Sequence, residues 1–162
     1  MLRVLRIGAL VLGGVFGALQ LVPYDRDHDN PSVTLDAPWP SEEGRRLARA
    51  ACYDCHGNEM HWPWYSHIAP MSWLVQRDVD RGRAVLNFSE WDVAQEESDD
   101  LHDAVEDGDV PPSNYLLLHP DAKLSAAEKA ALIEALETLV DAGQAEDEVG
   151  GGDRSGSNRG PG

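Results

Sequence analysis

Lysine is almost missing from this chain: Lys123 and Lys129 are the only two, and Lys and Arg together number 13 against 29 Asp and Glu in 162 residues. The resulting formal charge of -16 excludes DNA and RNA as partners, because too few cations remain to neutralise a phosphate backbone. No run alternates apolar and polar residues over the length of a strand, which excludes a β-sheet domain. No internal repeat is present, so a solenoid is excluded as well. Only two cysteines occur, and no second Cys or His pair stands at matching spacing, so a four-ligand structural zinc site is ruled out.

What is present is distributed unevenly. Residues 1–22 carry Arg3 and Arg6, no acid, and an apolar run from Ile7 to Val22, after which Asp25, Asp27 and Asp29 follow at once. A basic flank before the run and an acidic one after it orient the start inward and everything beyond it outward. Phe16 to Val22 offers no small-x-small cleavage site, and no cysteine stands there for lipid attachment. The expectation is an uncleaved single-pass anchor over 1–22, with the rest of the chain on the extracytoplasmic (periplasmic) side of the cell membrane. The alternative is a cleaved signal peptide and a secreted protein. Residues 23–40, punctuated by Pro31 and Pro38, read as an extended linker lifting the domain off the membrane. Residues 144–162 are mostly Gly, Asp, Glu, Ser and Asn with almost nothing apolar, and read as a disordered tail. That leaves residues 41–143 for one small domain.

Helical signals fill that domain, so the fold class expected is all-α. Ser41 is placed to cap a helix opening with Glu42 and Glu43 and running through Leu47 and Ala51 into Cys52. Trp62, Pro63, Trp64 and Tyr65 mark an aromatic loop between Gly57 and Pro70. Met71, Leu74, Val75 and Val79 recur at three and four, predicting an amphipathic helix over 71–85 that ends near Gly82. Ser89 and Glu90 before Trp91 suggest another helix start, and Leu101, Ala104 and Val105 a short helix stopping before Gly108. Ser125 and Glu128 form a capping box. Behind it, Leu132, Ile133, Leu136, Leu139 and Val140 make one apolar stripe up to a stop at Gly143.

The chemistry concentrates in Cys52-Tyr53-Asp54-Cys55-His56. Two thiols two residues apart with histidine adjoining is the pattern of covalent attachment of one haem c. The thiols add to vinyl groups on one edge of the porphyrin, and the histidine is brought under the ring as the proximal iron ligand. A thioredoxin-like redox pair would need a βαβ context that the sequence does not offer. A plain disulfide between Cys52 and Cys55 remains an alternative. His56 also needs an acceptor for its second ring nitrogen, and a proline carbonyl in the next loop, Pro70 ahead of Pro63, is the expected one. Trp62, Trp64, Tyr65, Trp73 and Trp91 are either ordinary packing or walls that exclude water from the haem, with at least one tryptophan expected to touch it.

Several blocks beyond the motif occur in order: Trp62-Pro63-Trp64-Tyr65, Ile68-Ala69-Pro70, Ser72-Trp73-Leu74-Val75, Leu86-Asn87-Phe88-Ser89-Glu90-Trp91, Pro111-Pro112 and Tyr115-Leu116-Leu117-Leu118-His119-Pro120. Together, from Arg45 to Leu139, they resemble a family of small bacterial haem-binding domain proteins with a cytochrome c-like character. The resemblance implies haem and export. It also implies Met-Pro-Pro where this chain has Val110-Pro111-Pro112, and that methionine resembles the distal ligand of small cytochromes c. Valine cannot ligate iron. The sixth position falls to another residue, to water, or to a small ligand. Met60, His61, His67, Met71, His102 and His119 are chemically able; Met60 and His61 follow the motif too closely to reach the opposite face. His119 and Met71 are the leads, with an open site as an equal reading.

Function follows from that face. A six-coordinate haem fits a non-enzymatic electron carrier between membrane-side donors and an unidentified redox partner protein. A five-coordinate one fits sensing of a small ligand or peroxide chemistry, and a third reading keeps haem as a structural core alone. Between Ala84 and Ala122 the chain has eleven acids and no Lys or Arg. This is either a field that steers a basic partner or the solvated surface of a salt-adapted protein.

Overall fold

In the computed structural model, residues 1–23, 28–93, 95 and 101–151 are described, with side chains as far as residue 142. The order is all-helical: α1 (Leu2–Leu19), α2 (Glu42–Ala51), α3 (Tyr53–His56), α4 (Met71–Val85), α5 (Leu101–Asp107), α6 (Ser113–Leu116) and α7 (Ala126–Gly151). Short 3-10 turns cover Trp64–His67 and Pro120–Ala122. Among the described residues the extended pairing amounts to one isolated bridge, Leu35 to Glu90. The acids Asp25, Asp27, Glu96, Glu97, Asp99 and Asp100 and the tail 152–162 lie outside the described residues.

Local chemistry sets the helix starts. Ser41 Oγ accepts from the Gly44 amide at 3.0 Å, with Glu42 and Glu43 in the positive first turn of α2. At α7 the capping box closes both ways, Ser125 N donating to Glu128 Oε2 at 2.9 Å and Glu128 N to Ser125 Oγ at 3.3 Å. One face of α2 (Leu47, Ala48, Ala51) and the stripe of α7 (Leu132, Leu136, Leu139) are buried together, with Val105 of α5 closing the side. Gly44 permits the α2–α7 crossing, since a Cβ there would stand 2.5 Å from that of Ala135. Phe88, 1% exposed, sits at the centre, stacked between Tyr53 at 5.4 Å and Trp91 at 6.0 Å, with Trp39 at 5.0 Å.

Three expectations give way. The second half of the expected linker is built into the domain: Thr34 N and Ala37 N donate to Ser89 O and Phe88 O, and Trp91 N donates back to Leu35 O. Ala37 is buried and Asp36 takes hydrogen bonds from Tyr53 Oη at 2.8 Å and from Arg45. That pairing also explains why no helix starts at Ser89: the backbone of residues 88–91 is committed to this strap. Lastly, α7 passes Gly143 and continues to Gly151. One glycine costs a helix only about 1 kcal/mol, and the residues after it, Gln144 to Glu148, are mostly good helix formers.

α1 buries none of its residues against the domain and is long and apolar enough to cross a membrane. Its end is nevertheless tied down. The Gln20 side chain donates from Nε2 to Ala69 O at 2.9 Å and accepts from Ala69 N at 3.0 Å.

Candidate haem site

The helix that carries the motif breaks inside it. Cys52 N closes α2 on Ala48 O at 2.7 Å, the backbone departs from helical angles at Cys52, and α3 restarts with Cys55 N and His56 N both donating to Cys52 O. The break puts Cys52, Cys55 and His56 along one wall of a cavity of about 490 Å³. A second cavity of about 270 Å³ adjoins it, sharing Cys52, His56 and Val110 and floored by Leu86, Phe88, Val105 and Leu136. Cys52 and Cys55 are not bonded to one another. Burial pushes the Cys52 thiol up to about 12 and the Cys55 thiol up to about 11, with neighbouring negative charge adding to both.

α4 braces the motif from behind. Gly82 lies so close that a Cβ there would stand 2.4 Å from Cys55 O, and Arg83 Nε donates to Gly57 O at 2.9 Å. Gly82 thus acts as a contact point within α4, which runs on to Val85, and does not end the helix.

His56 Nδ1 stands 3.1 Å from Leu86 O, so this nitrogen carries the proton and Nε2 is the ring's acceptor atom. The orienting acceptor is therefore Leu86 and not Pro70. The Pro70 carbonyl is occupied at the start of α4 by Trp73 N and Leu74 N, at 3.2 and 3.4 Å, whereas Leu86 O falls just past the helix end. Nothing in the sequence marks Leu86 for this role, since a backbone carbonyl is anonymous there.

The structure sorts the candidates for the opposite side of the iron. Met60, Met71 and His119 border the larger cavity. Met60, discounted from its nearness to the motif, is buried at the cavity wall, where its carbonyl accepts from Asn30 Nδ2 at 2.9 Å. His61, His67 and His102 do not line either cavity; His67 packs edge-on against His28 at 4.3 Å and His102 pairs with Asp103 on α5. Val110 lines both cavities.

His119 is held on three sides. Its Nδ1 donates to Tyr115 O at 3.0 Å, Tyr65 Oη donates to Nε2 at 3.1 Å, and its ring stacks on Tyr115 at 3.9 Å. Tyr115 Oη in turn donates to Asp54 Oδ2 at 2.7 Å, tying α6 to the middle of the motif. Burial, then the Asp54 carboxylate, hold the Tyr115 phenol well above its ordinary range. Asp54 and Tyr115 were not singled out from the sequence; the four-residue spacing of Tyr115 and His119 was the available signal. Of the aromatics, Tyr65 and Tyr115 line the larger cavity and Phe88 the smaller, and none of the five tryptophans lines either: Trp39 and Trp91 pack on Phe88, Trp62 on His28, and Trp64 on Tyr65.

Two thiols, an imidazole with a fixed tautomer and a largely apolar cavity of ligand size fit an iron porphyrin. Arg77, which is paired with Asp78 Oδ1 at 2.7 Å, and Arg81 are the cations in the lining. A family model described as a haem-binding domain matches residues 14–138. Searches of curated proteins and of solved structures return no match.

Proposed function

The chain belongs to the haem-binding domain family, and on that premise we propose that it is a c-type monohaem protein that passes single electrons outside the cytoplasmic membrane, held there by α1 as an uncleaved anchor. One observation carries the reading: Cys52, Cys55 and His56 border a single cavity. Attachment would proceed by addition of each thiol across one vinyl group, sulfur to one carbon and the proton to the other. His56 would hold the iron through Nε2 with Leu86 O fixing the ring, a second partner that raises the basicity of the ligand. Bound there, haem supplies reversible one-electron exchange at iron. The surrounding residues exclude water, Arg77 and Arg81 meet the ring carboxylates, and the Tyr115–Asp54 hydrogen bond keeps α6 closed over the site. Retention of α1 is supported by Gln20, whose side chain pairs with the folded domain at Ala69.

Val110 in the lining favours a second reading, a five-coordinate haem that takes a small ligand. Carbon monoxide added to the reduced protein separates the two. An unchanged spectrum is expected for an iron holding Met60 or Met71 tightly, or His119 once its Nε2 exchanges the Tyr65 hydroxyl for the metal, and a rapid shift to a CO adduct would overturn electron transfer as the sole role.

A further inference from the structure

Apart from Val33, Leu35 and Val93 at the strap, the large apolar side chains exposed on this domain come from the stretches 64–74 and 117–118, the first of which meets the end of α1. Trp64 is 75% exposed, Leu117 82% and Ile68 37%, and none of the three lines a cavity. Met71, Leu74 and Leu118 are exposed too, and they form the rim of the larger cavity. Tyr65 joins the two stretches: Ile68 and Met71 flank Ala69-Pro70, Trp64 packs edge-on against Tyr65 at 5.9 Å, and the Tyr65 hydroxyl meets His119, next in sequence to Leu117 and Leu118. Ala69 is the residue that Gln20, one position past the end of α1, grips through both its amide groups.

Charge picks out the same surface. In a chain of net charge -16, the stretches 60–76 and 110–120 contain no Asp, Glu, Lys or Arg, and these are the stretches that supply the patch. An acidic protein held against anionic lipid is repelled everywhere except on a face without charge. Contiguous exposed apolar surface bearing a tryptophan suits the headgroup–acyl boundary.

We infer that the face formed by Trp64, Ile68 and Leu117 rests in the boundary layer of the bilayer that α1 crosses, so that the cavity rim at Met71, Leu74 and Leu118 opens at the membrane surface. This rests on α1 being retained as an anchor. The occupant is lipid. With about 1.5 Å of rise per residue, the 18 residues of α1 span roughly 27 Å, close to a hydrocarbon core of about 30 Å, so Gln20 and the Ala69 it holds fall at the interface. The domain then lies on the membrane and is not raised from it.

The full-length holoprotein in nanodiscs tests this with a membrane-impermeant maleimide. Leu117→Cys and Trp64→Cys are compared with Glu137→Cys, exposed on α7. In discs holding one copy, Leu117→Cys and Trp64→Cys are expected to react about tenfold or more slowly than Glu137→Cys, because a thiol in lipid ionises and meets the reagent rarely. Equal rates in protein that keeps its N-terminus would overturn the inference, and protection seen only in discs with two copies would assign the face to a second copy instead. A protein recovered without residues 1–20 would overturn the anchor and this inference together. Labelling of the unsubstituted protein would count against the thioether reading while leaving the comparison of rates intact.

Discussion

Cys52 and Cys55 are thiols kept protonated by burial, and this has a consequence for the stability of the chain without haem. In the unfolded chain both ionise near pH ~8.5. In the folded chain they hold their protons up to about 11 and about 12, so the stability they lend is complete below the unfolded value and is lost as pH rises through the folded ones. Denaturant unfolding of the apoprotein should therefore weaken between about pH 9 and 12 more steeply than that of Cys52→Ala/Cys55→Ala. Parallel curves would contradict the burial argument. On the other side of the iron, single substitutions Met60→Leu, Met71→Leu and His119→Ala sort the ligands: the variant that loses the sixth bond is expected to gain a high-spin spectrum and bind CO, while the others keep the parent spectrum. That Cys52, Cys55 and His56 share one cavity was legible in the sequence because the three are nearly contiguous. Leu86, Asp54 with Tyr115, and Met60 were not, because their places at the site depend on the path of the chain in space, which spacing along the sequence does not give.

Among the elements, α2 and α4 decide where the motif sits. Replacing Ser41 by Ala removes the cap of α2 and should cost about 1 kcal/mol, read as a fall in denaturation midpoint. Gly82→Ala forces a methyl against Cys55 O. Overpacking of this kind costs about 1–3 kcal/mol, and here it also displaces α3, so haem content of the exported protein should fall with stability. Normal haem loading in Gly82→Ala would show that α4 does not brace the motif. Periodicity and capping revealed α2, α4, α5 and α7, although only α2 and α7 bury an apolar stripe at helical spacing; of the α4 positions read from the sequence, Val79 is buried while Met71 and Leu74 are exposed. The strap over residues 34–37 was hidden. The bonds that seat it on residues 88–91 are backbone to backbone, and the flanking Pro31 and Pro38 read as linker. The overrun of α7 past Gly143 follows from a propensity cost too small to stop a packed helix.

For the molecule as a whole, charge and anchorage act together. The acidic stretch between Ala84 and Ala122 and the net charge of -16 should steer a cationic redox protein towards the domain, with the uncharged face turned to lipid. The rate of electron exchange with a basic soluble carrier should then fall steeply as ionic strength rises and the Debye length shrinks from about 30 Å at 0.01 M to about 8 Å at 0.15 M. A flat salt profile would make the acids a solvated surface and no more. The central claim remains the covalent haem on Cys52 and Cys55, and it is tested by extracting the purified protein with acidified acetone and assaying the precipitated chain as a pyridine haemochrome. The account predicts one haem per chain retained in the precipitate, lost in Cys52→Ala/Cys55→Ala. Haem that passes wholly into the acetone, or a chain that carries none, would contradict it.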